Sequence, residues 1–317
     1  MQGGGGDFPT RDINITVPFG AGGSTDLTAR IVGEGMGAHF DNKIIVTNTP
    51  GAAGSVGTQS VLNAKNDGYT LLADGILSFT SMPVMGTLET LPKDWDFWLA
   101  TYTPNVVAVP KDSPYQSIDD LVAAMKENPG KISAGTAGPG SAGHIAAELI
   151  ATAAGVEYQH VPYEGGNPAI LATLGGEVDF TPQLLVEMQD MIISGELRAL
   201  ATLSDKEITL EGGIVIPTIG AALPDLAAKL PMGETTGLAV PKGLDENILK
   251  SLDGGFDAAM KNQAFLDFCA EKGMDVVAMG RDDAAKRVAE LQSIVAWTLF
   301  DAGVTKNSPE DFEIPKP

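Results

Sequence analysis

The stretch VPFGAGGSTD, Val17 to Asp26, ends an apolar run in small residues, two hydroxyls and a carboxylate, with no Lys or Arg. Placed between a strand and a helix, such a turn suits anion chemistry. The first N–H groups of a helix lack intrahelical acceptors, and the helix dipole favours negative charge beside them. Gly20, Gly22 and Gly23 let the backbone approach a ligand, Ser24 or Thr25 caps the helix or donates a hydroxyl, and Asp26 complements the dipole. Two nucleotide-binding patterns fail here. G-x-x-x-x-G-K-[ST] needs a Lys that is absent, and G-x-G-x-x-G needs Gly where Thr25 stands. A plain strand–turn–helix connection with a good cap accounts for the same residues.

A second loop, SAGTAGPGSAGHIAAEL from Ser133 to Leu149, also follows a strand and opens a helix. Gly138 to Gly143 does match G-x-G-x-x-G, and Glu157 follows at about the distance of a ribose-binding acid. This is the lead toward a nucleotide-dependent oxidoreductase. Against it, Glu157 starts its strand, whereas the fingerprint acid belongs at the carboxyl end. His144 lies in the first helical turn, where the dipole disfavours imidazolium, so it acts as a neutral donor to a ligand or as a cap on the loop. His160, inside a strand, reads as a packed core histidine. In HVPYEGGNPAI, Tyr163 ends a strand and either reaches a cleft with its hydroxyl or packs on the loop. Asn167 is a natural N-cap and Pro168 fits the first helical position. PGSAG lacks the Gly two positions before its Ser that a nucleophile elbow requires. Three His and one Cys in no cluster offer no metal-site spacing. No catalytic residue, metal or cofactor is expected.

The elements that must position these loops alternate. Ile13–Val17, Ile44–Asn48, Tyr69–Ala73, Val106–Val109, Lys131–Ala134, Tyr158–Val161, Val178–Phe180, Ala199–Thr202, Gly237–Val240 and Asp275–Met279 read as strands. Helices are expected from a stripe of Leu27, Ile31, Gly35 and Ala38, over Ile118–Glu127 and Ile145–Ala154, and from Asp283 to Gly303 with Val288, Leu291, Val295 and Leu299 on one face. Strand–helix alternation implies an α/β fold with mostly parallel sheets flanked by helices. So many strands fit two sheets in two domains. Proline-containing crossings at Thr101–Pro110 and Leu230–Pro241 suggest one domain inserted in another: 7–104 with 235–317 as the first, 105–234 as the second.

The 317 residues carry 41 acidic against 20 basic side chains, a net charge of −21. That disfavours nucleic acid and anionic membrane surfaces, both of which are bound through Lys and Arg. No stretch approaches the ~20 apolar residues of a membrane helix. The single cysteine, Cys269, forms no intrachain disulfide and sits at helical spacing as a small core residue. The start, MQGGGGDFPTRD, has no apolar signal segment and reads as a mature leader, Met1 standing where an export signal was removed. A cytoplasmic protein with a floppy N-terminus fits the same residues.

INITVPFGAGGSTDLTAR, VTNTPGAAGSVGTQSV, NDGYTLL, GTAGPGSAGHIAAEL, HVPYEGGNPAILATLGGEVD and LRALATLSD occur in the order found in tripartite tricarboxylate transporter receptors, the Bug or TctC-type solute-binding proteins. The chain resembles that family from about Asp12 to Thr305. The resemblance implies a two-domain, type II-like periplasmic binding protein with its ligand cleft between the domains. It implies a monomer that delivers a small organic carboxylate to membrane permease subunits, with a lipid anchor on the native precursor left open. Carried over by position, the ligand would meet Phe19, Gly22, Gly23, Ser24, Thr25 and Asp26 on one side. Facing them would be Thr136, Ala137, Gly138, Ser141, Ala142, Gly143 and His144, with Ser78 in a loop and Tyr163 lining the cleft. Gln183 falls where many relatives carry an Asp. A neutral amide does not pair with an ammonium as a carboxylate does, which favours a plain organic acid over an amino acid. The stretch DGILSFTSMP is more apolar than its counterpart in relatives, so the distal pocket is expected to be partly hydrophobic.

Overall fold

A computed structural model describes residues 8–317; the Gly3–Gly6 run read as a leader lies outside them. The first part of the chain forms β1 (Ile13–Val17), α1 (Ser24–Phe40), β2 (Ile44–Asn48), α2 (Ser55–Asn63), β3 (Thr70–Gly75), α3 (Ile76–Met85) and β4 (Trp95–Pro104). The middle part forms β5 (Val106–Pro110), α4 (Ile118–Glu127), β6 (Ser133–Thr136), α5 (Ala142–Ala154), β7 (Gln159–Pro162), α6 (Gly166–Leu174), α7 (Leu185–Ile193), β8 (Leu197–Thr202), β9 (Ile208–Leu210) and β10 (Ile214–Ile216). The last part forms β11 (Gly233–Pro241), α8 (Glu246–Met260), α9 (Gln263–Glu271), β12 (Asp275–Met279) and α10 (Arg281–Asp301).

Six strands make the first sheet, in the order β12-β4-β11-β3-β1-β2. β1 pairs in parallel with β2 and β3, because α1 and α2 each carry the chain back along the sheet. β11 runs antiparallel to β3 and to β4, and β12 antiparallel to β4. The α/β class holds, but the sheet is mixed where a mostly parallel one is expected. The reason is topological: β4 leaves this sheet for the second lobe and β11 brings the chain back. In the second lobe β5 pairs antiparallel with β8 and β6 parallel with β7. The segment read as a strand over Val178–Phe180 makes only isolated bridges, Phe180 to Ala134 and Thr181 to Ala108, yet these join β6 to β5. The two crossings lie side by side, where Asn105 N–H donates to Met232 O at 3.2 Å. The Asn105 side chain ties that point to Pro182 O at 2.7 Å.

Local chemistry explains most helix bounds. α4 starts at a capping box in which Ser117 Oγ accepts from Asp120 N–H and the Asp120 carboxylate accepts from Ser117 N–H. α10 buries Val288, Leu291, Val295 and Leu299, as their spacing requires, and Cys269 is buried in α9. α1 differs from its expected stripe. Thr28, Ala29, Val32 and Met36 are buried, Leu27 and Ile31 are half-buried, and Ala38 is exposed. The helix is packed on two sides, by the first sheet and by α8, where Gly35 meets Ala259 closely enough that a Cβ would lie 2.7 Å from its Cα. Two packed sides take up small and polar residues that a hydrophobic stripe does not mark. DGILSFTSMP is not a loop: α3 runs through it with every residue buried, so Ser78 stands in a first helical turn.

Candidate functional site

At the start of α1 the N-cap is Gly23, with no side-chain cap, so Ser24 and Thr25 are the first helical residues rather than caps. Their hydroxyls are therefore left to the cleft. The N–H of Ser24 is met from the other lobe: Glu187 on α7 accepts from it through Oε1 at 2.9 Å. Asp26 does not face the cleft. Its carboxylate accepts from Gly22 N–H at 2.9 Å, from Asn48 Nδ2 at 2.9 Å and from Arg30 Nη2 and Nε at 2.8 and 3.0 Å. Burial alone would raise this carboxyl, but Arg30, Gly22 and Asn48 together hold it below its ordinary value. Gly22 and Asp26 thus brace the loop from inside.

At the start of α5, Ser141 is the N-cap and its Oγ accepts from His144 N–H at 3.4 Å. His144 is a cap on the loop. Its Nδ1 accepts from Gly140 N–H at 2.9 Å, which puts the proton on Nε2, 3.3 Å from Glu148 Oε1. Its ring stacks on His160 with centroids 4.1 Å apart. His160 Nε2 meets Thr136 Oγ1 at 2.6 Å, and Gly138 N–H donates to the same hydroxyl at 3.3 Å. Burial and the neighbouring His144 push His160 down to about 4. Thr136, Gly138 and His144 are therefore scaffolding behind the loop. Gly143 lies against the Gln183 side chain, with no room for a Cβ. Tyr163 places its ring on Gly135 and its N–H on Thr136 O, and its hydroxyl does not reach the cleft cavity.

Between the two loops lies a cavity of about 40 Å³, room for roughly three waters. Phe19, Gly23, Ser24, Thr25, Ser78, Ala137, Ser141, Ala142 and Gln183 line it, all of them expected. Gly22, Asp26, Thr136, Gly138, Gly143, His144 and Tyr163 do not, for the reasons just given. Sequence reasoning missed Asn167, Pro168, Glu187 and Glu234, which also line it. Asn167 is not a helix cap. α6 begins at Gly166 with Gly165 as N-cap at φ 136°, a conformation open to glycine, and this frees Asn167 for the cavity. Glu234 falls in the crossing Leu230–Pro241, and nothing local in LLVEMQD marks Glu187 as a cavity residue. Glu234 is buried with all of Gly233–Val240 in β11, and burial along a whole strand leaves no alternation to read.

Glu234 Oε1 accepts from Leu77 N–H at 2.8 Å and Oε2 from the Ser78 hydroxyl at 3.3 Å, so Ser78 serves the acid as well as the cavity. Burial pushes Glu234 up to about 8, against the pull of its Leu77 and Ser78 hydrogen bonds and with the charge of Glu187 adding to the rise. Burial likewise pushes Glu187 up to about 7, opposed by the Ser24 N–H. Behind Glu234, Asp74 is raised well above its ordinary value by burial and by the Glu234 charge. Among the described residues no group of acids, His or Cys is placed to hold a metal ion.

The Gly138–Gly143 loop offers no support to a nucleotide site. α3 covers it, with the Ser81 hydroxyl donating to Gly140 O at 2.8 Å and the Gly140 Cα against Ser81 and Met85. Glu157 lies exposed before β7, at the end of that strand away from the loop. No helix among the described residues is long and apolar enough to cross a membrane.

Solved structures similar to this chain include periplasmic binding proteins. The family described as tripartite tricarboxylate transporter family receptor matches residues 28–295. Protein BugT of Bordetella pertussis is 30% identical over 95% of this chain and 90% of its own length. The structure of the periplasmic binding protein BugD superposes with a TM-score of 0.85 at 28% identity, covering 95% of this chain and 100% of that one. An R. palustris protein solved with adipate superposes with a TM-score of 0.84 at 25% identity, covering 94% and 99%.

Proposed function

The chain belongs to the tripartite tricarboxylate transporter receptor family, and on that premise we propose that it is an extracytoplasmic receptor that closes on a small organic carboxylate and hands it to the membrane permease of such a system. The observation that carries this reading is the pairing of two helix N-termini, α1 and α5, on one cavity lined by Ser24, Thr25, Ser78 and Ser141. Backbone N–H groups and hydroxyls aimed at an ionised acceptor each contribute about 1.5–3 kcal/mol. A few of them reach micromolar affinity, about −8 kcal/mol, after entropic costs. Such a site binds by direction and needs no Lys or Arg, which also lets the ligand leave when the lobes part.

The division into 7–104 with 235–317 and an inserted 105–234 supplies the moving bodies, with Asn105 and Met232 at the hinge. A neighbour carrying adipate agrees with a dicarboxylic ligand. At about 40 Å³ the cavity holds roughly three waters, so any small acid, adipate included, needs a wider cleft than this closure. The test is a calorimetric titration with mono-, di- and tricarboxylates. Thr25→Ala and Ser141→Ala are each expected to weaken the binding acid about ten-fold while the protein stays folded, a loss of ~1.4 kcal/mol. Unchanged affinity in both variants would remove the site from consideration.

A further inference from the structure

The cavity that admits a carboxylate is walled on its other side by two acids. Glu187 and Glu234 both line it, and no Lys, Arg or His stands among the described residues that do. Their hydrogen bonds are already directed. Glu187 Oε1 takes the Ser24 N–H, and Glu234 takes the Leu77 N–H and the Ser78 hydroxyl. Once ionised, each acid has only acceptor capacity left. Oε2 of Glu187 is buried and has no hydrogen-bond partner among the described residues. Gly23 and Gly166 close in on the same carboxyl so tightly that side chains there would collide with it. A buried acceptor without a donor is costly, and Glu187 lines the cavity, so the side chain suits a ligand group that donates.

Two kinds of ligand group could lie against this wall. A second carboxylate could lie there only while Glu187 and Glu234 keep protons to donate to it, and its binding would take protons up. An ammonium has three donors, no acceptor and a charge of the complementary sign. The first-turn N–H of α1 that an anion would seek at Ser24 is already used by Glu187. The α5 side, with Ser141 as N-cap and Gln183 beside Gly143, is free of acids. We propose that the ligand is an amino-carboxylate, held with its carboxylate toward the start of α5 and its ammonium between Glu187 and Glu234. The amine-reading residues are thus Glu187 and Glu234, and the neutral amide at Gln183 is no obstacle to an amino acid. This rests on the reading of the cavity as a carboxylate site.

The test uses matched pairs of probes on the whole chain at pH 7: propionate against alanine and β-alanine, and butyrate against 4-aminobutyrate, by calorimetry in two buffers of different ionisation enthalpy. At least one amino acid is expected to bind ten-fold or more tightly than its parent acid, with net proton release as Glu187 and Glu234 ionise around the arriving ammonium. Glu187→Gln and Glu234→Gln, each checked for folding by circular dichroism, are expected to shrink the ratio of the two affinities to within about two-fold. Parent acids binding as well as the amino acids, proton uptake on binding, or a ratio that survives both variants would overturn the proposal. If larger di- or tricarboxylates bind and no amino acid does, the amine site falls and the carboxylate receptor stands. If no carboxylate of any kind binds, both fall.

Discussion

Asp26 shows how far a residue's job can lie from the one its position suggests. It sits in the first turn of α1, where sequence reasoning gives it to the dipole and the ligand, yet all its acceptor capacity goes to Gly22, Arg30 and Asn48. Asp26→Ala is expected to lower stability by about 1–2 kcal/mol in urea denaturation, since Arg30 is half-exposed and recovers water while the loop N–H loses its partner. The sign with pH follows from its lowered carboxyl. The Asp26 contribution is complete above the ordinary carboxylate value and is lost as pH falls through the lower folded one. The hydroxyls and glycines of the site were legible because their chemistry is local to a turn. Glu187 and Glu234 were not, because they become neighbours only when an α7 helix and a β11 strand distant in the chain meet across the cleft.

At the scale of elements, legibility followed how a segment is buried. α4 and α10 each bury one face, and their spacing marks it. β4, WDFWLATYTP, is buried along nearly its whole length, so no alternation announced it as a single ten-residue strand. α1 is buried on two sides, and its true face holds Gly35 against Ala259 of α8. Gly35→Ala is therefore expected to destabilise the protein by about 1–3 kcal/mol, measured as a lower denaturation midpoint, because the added methyl meets backbone rather than a mobile side chain. The same substitution in an exposed helix would be stabilising, so the sign itself tests the α1–α8 contact.

At the scale of the whole molecule, the lobes are joined by polar bonds around the cavity and behind it. Ser24–Glu187 and Ser81–Gly140 lie at the cleft, while Gln189 Nε2 donates to Glu271 O at 3.0 Å and Lys272 meets Asp190 at 3.1 Å on the far side. Closure therefore buries acids, and stability inherits their titration. His160, held down to about 4 against an ordinary 6.5, makes stability rise with pH between those values. Glu187 and Glu234, raised from 4.5 to about 7 and about 8, keep protons in the folded state that the unfolded chain has lost, so stability falls as pH rises across that window. Above pH 6.5 only the second effect remains of these two. Tm is expected to decline from pH 6.5 to 8 without ligand, and less steeply in Glu234→Gln; a flat profile in the parent chain would show that these acids ionise freely. The strand order carries a further consequence, for synthesis rather than for binding. β11 occupies the middle of the first sheet, between β3 and β4, yet it emerges only after β5 to β10. Until residues 233–241 arrive, β3 and β4 have open edges facing one another across a missing strand. The nascent chain thus has no complete first core for most of its length, and a truncation anywhere before Gly233 leaves the earlier strands without the partner that locks them.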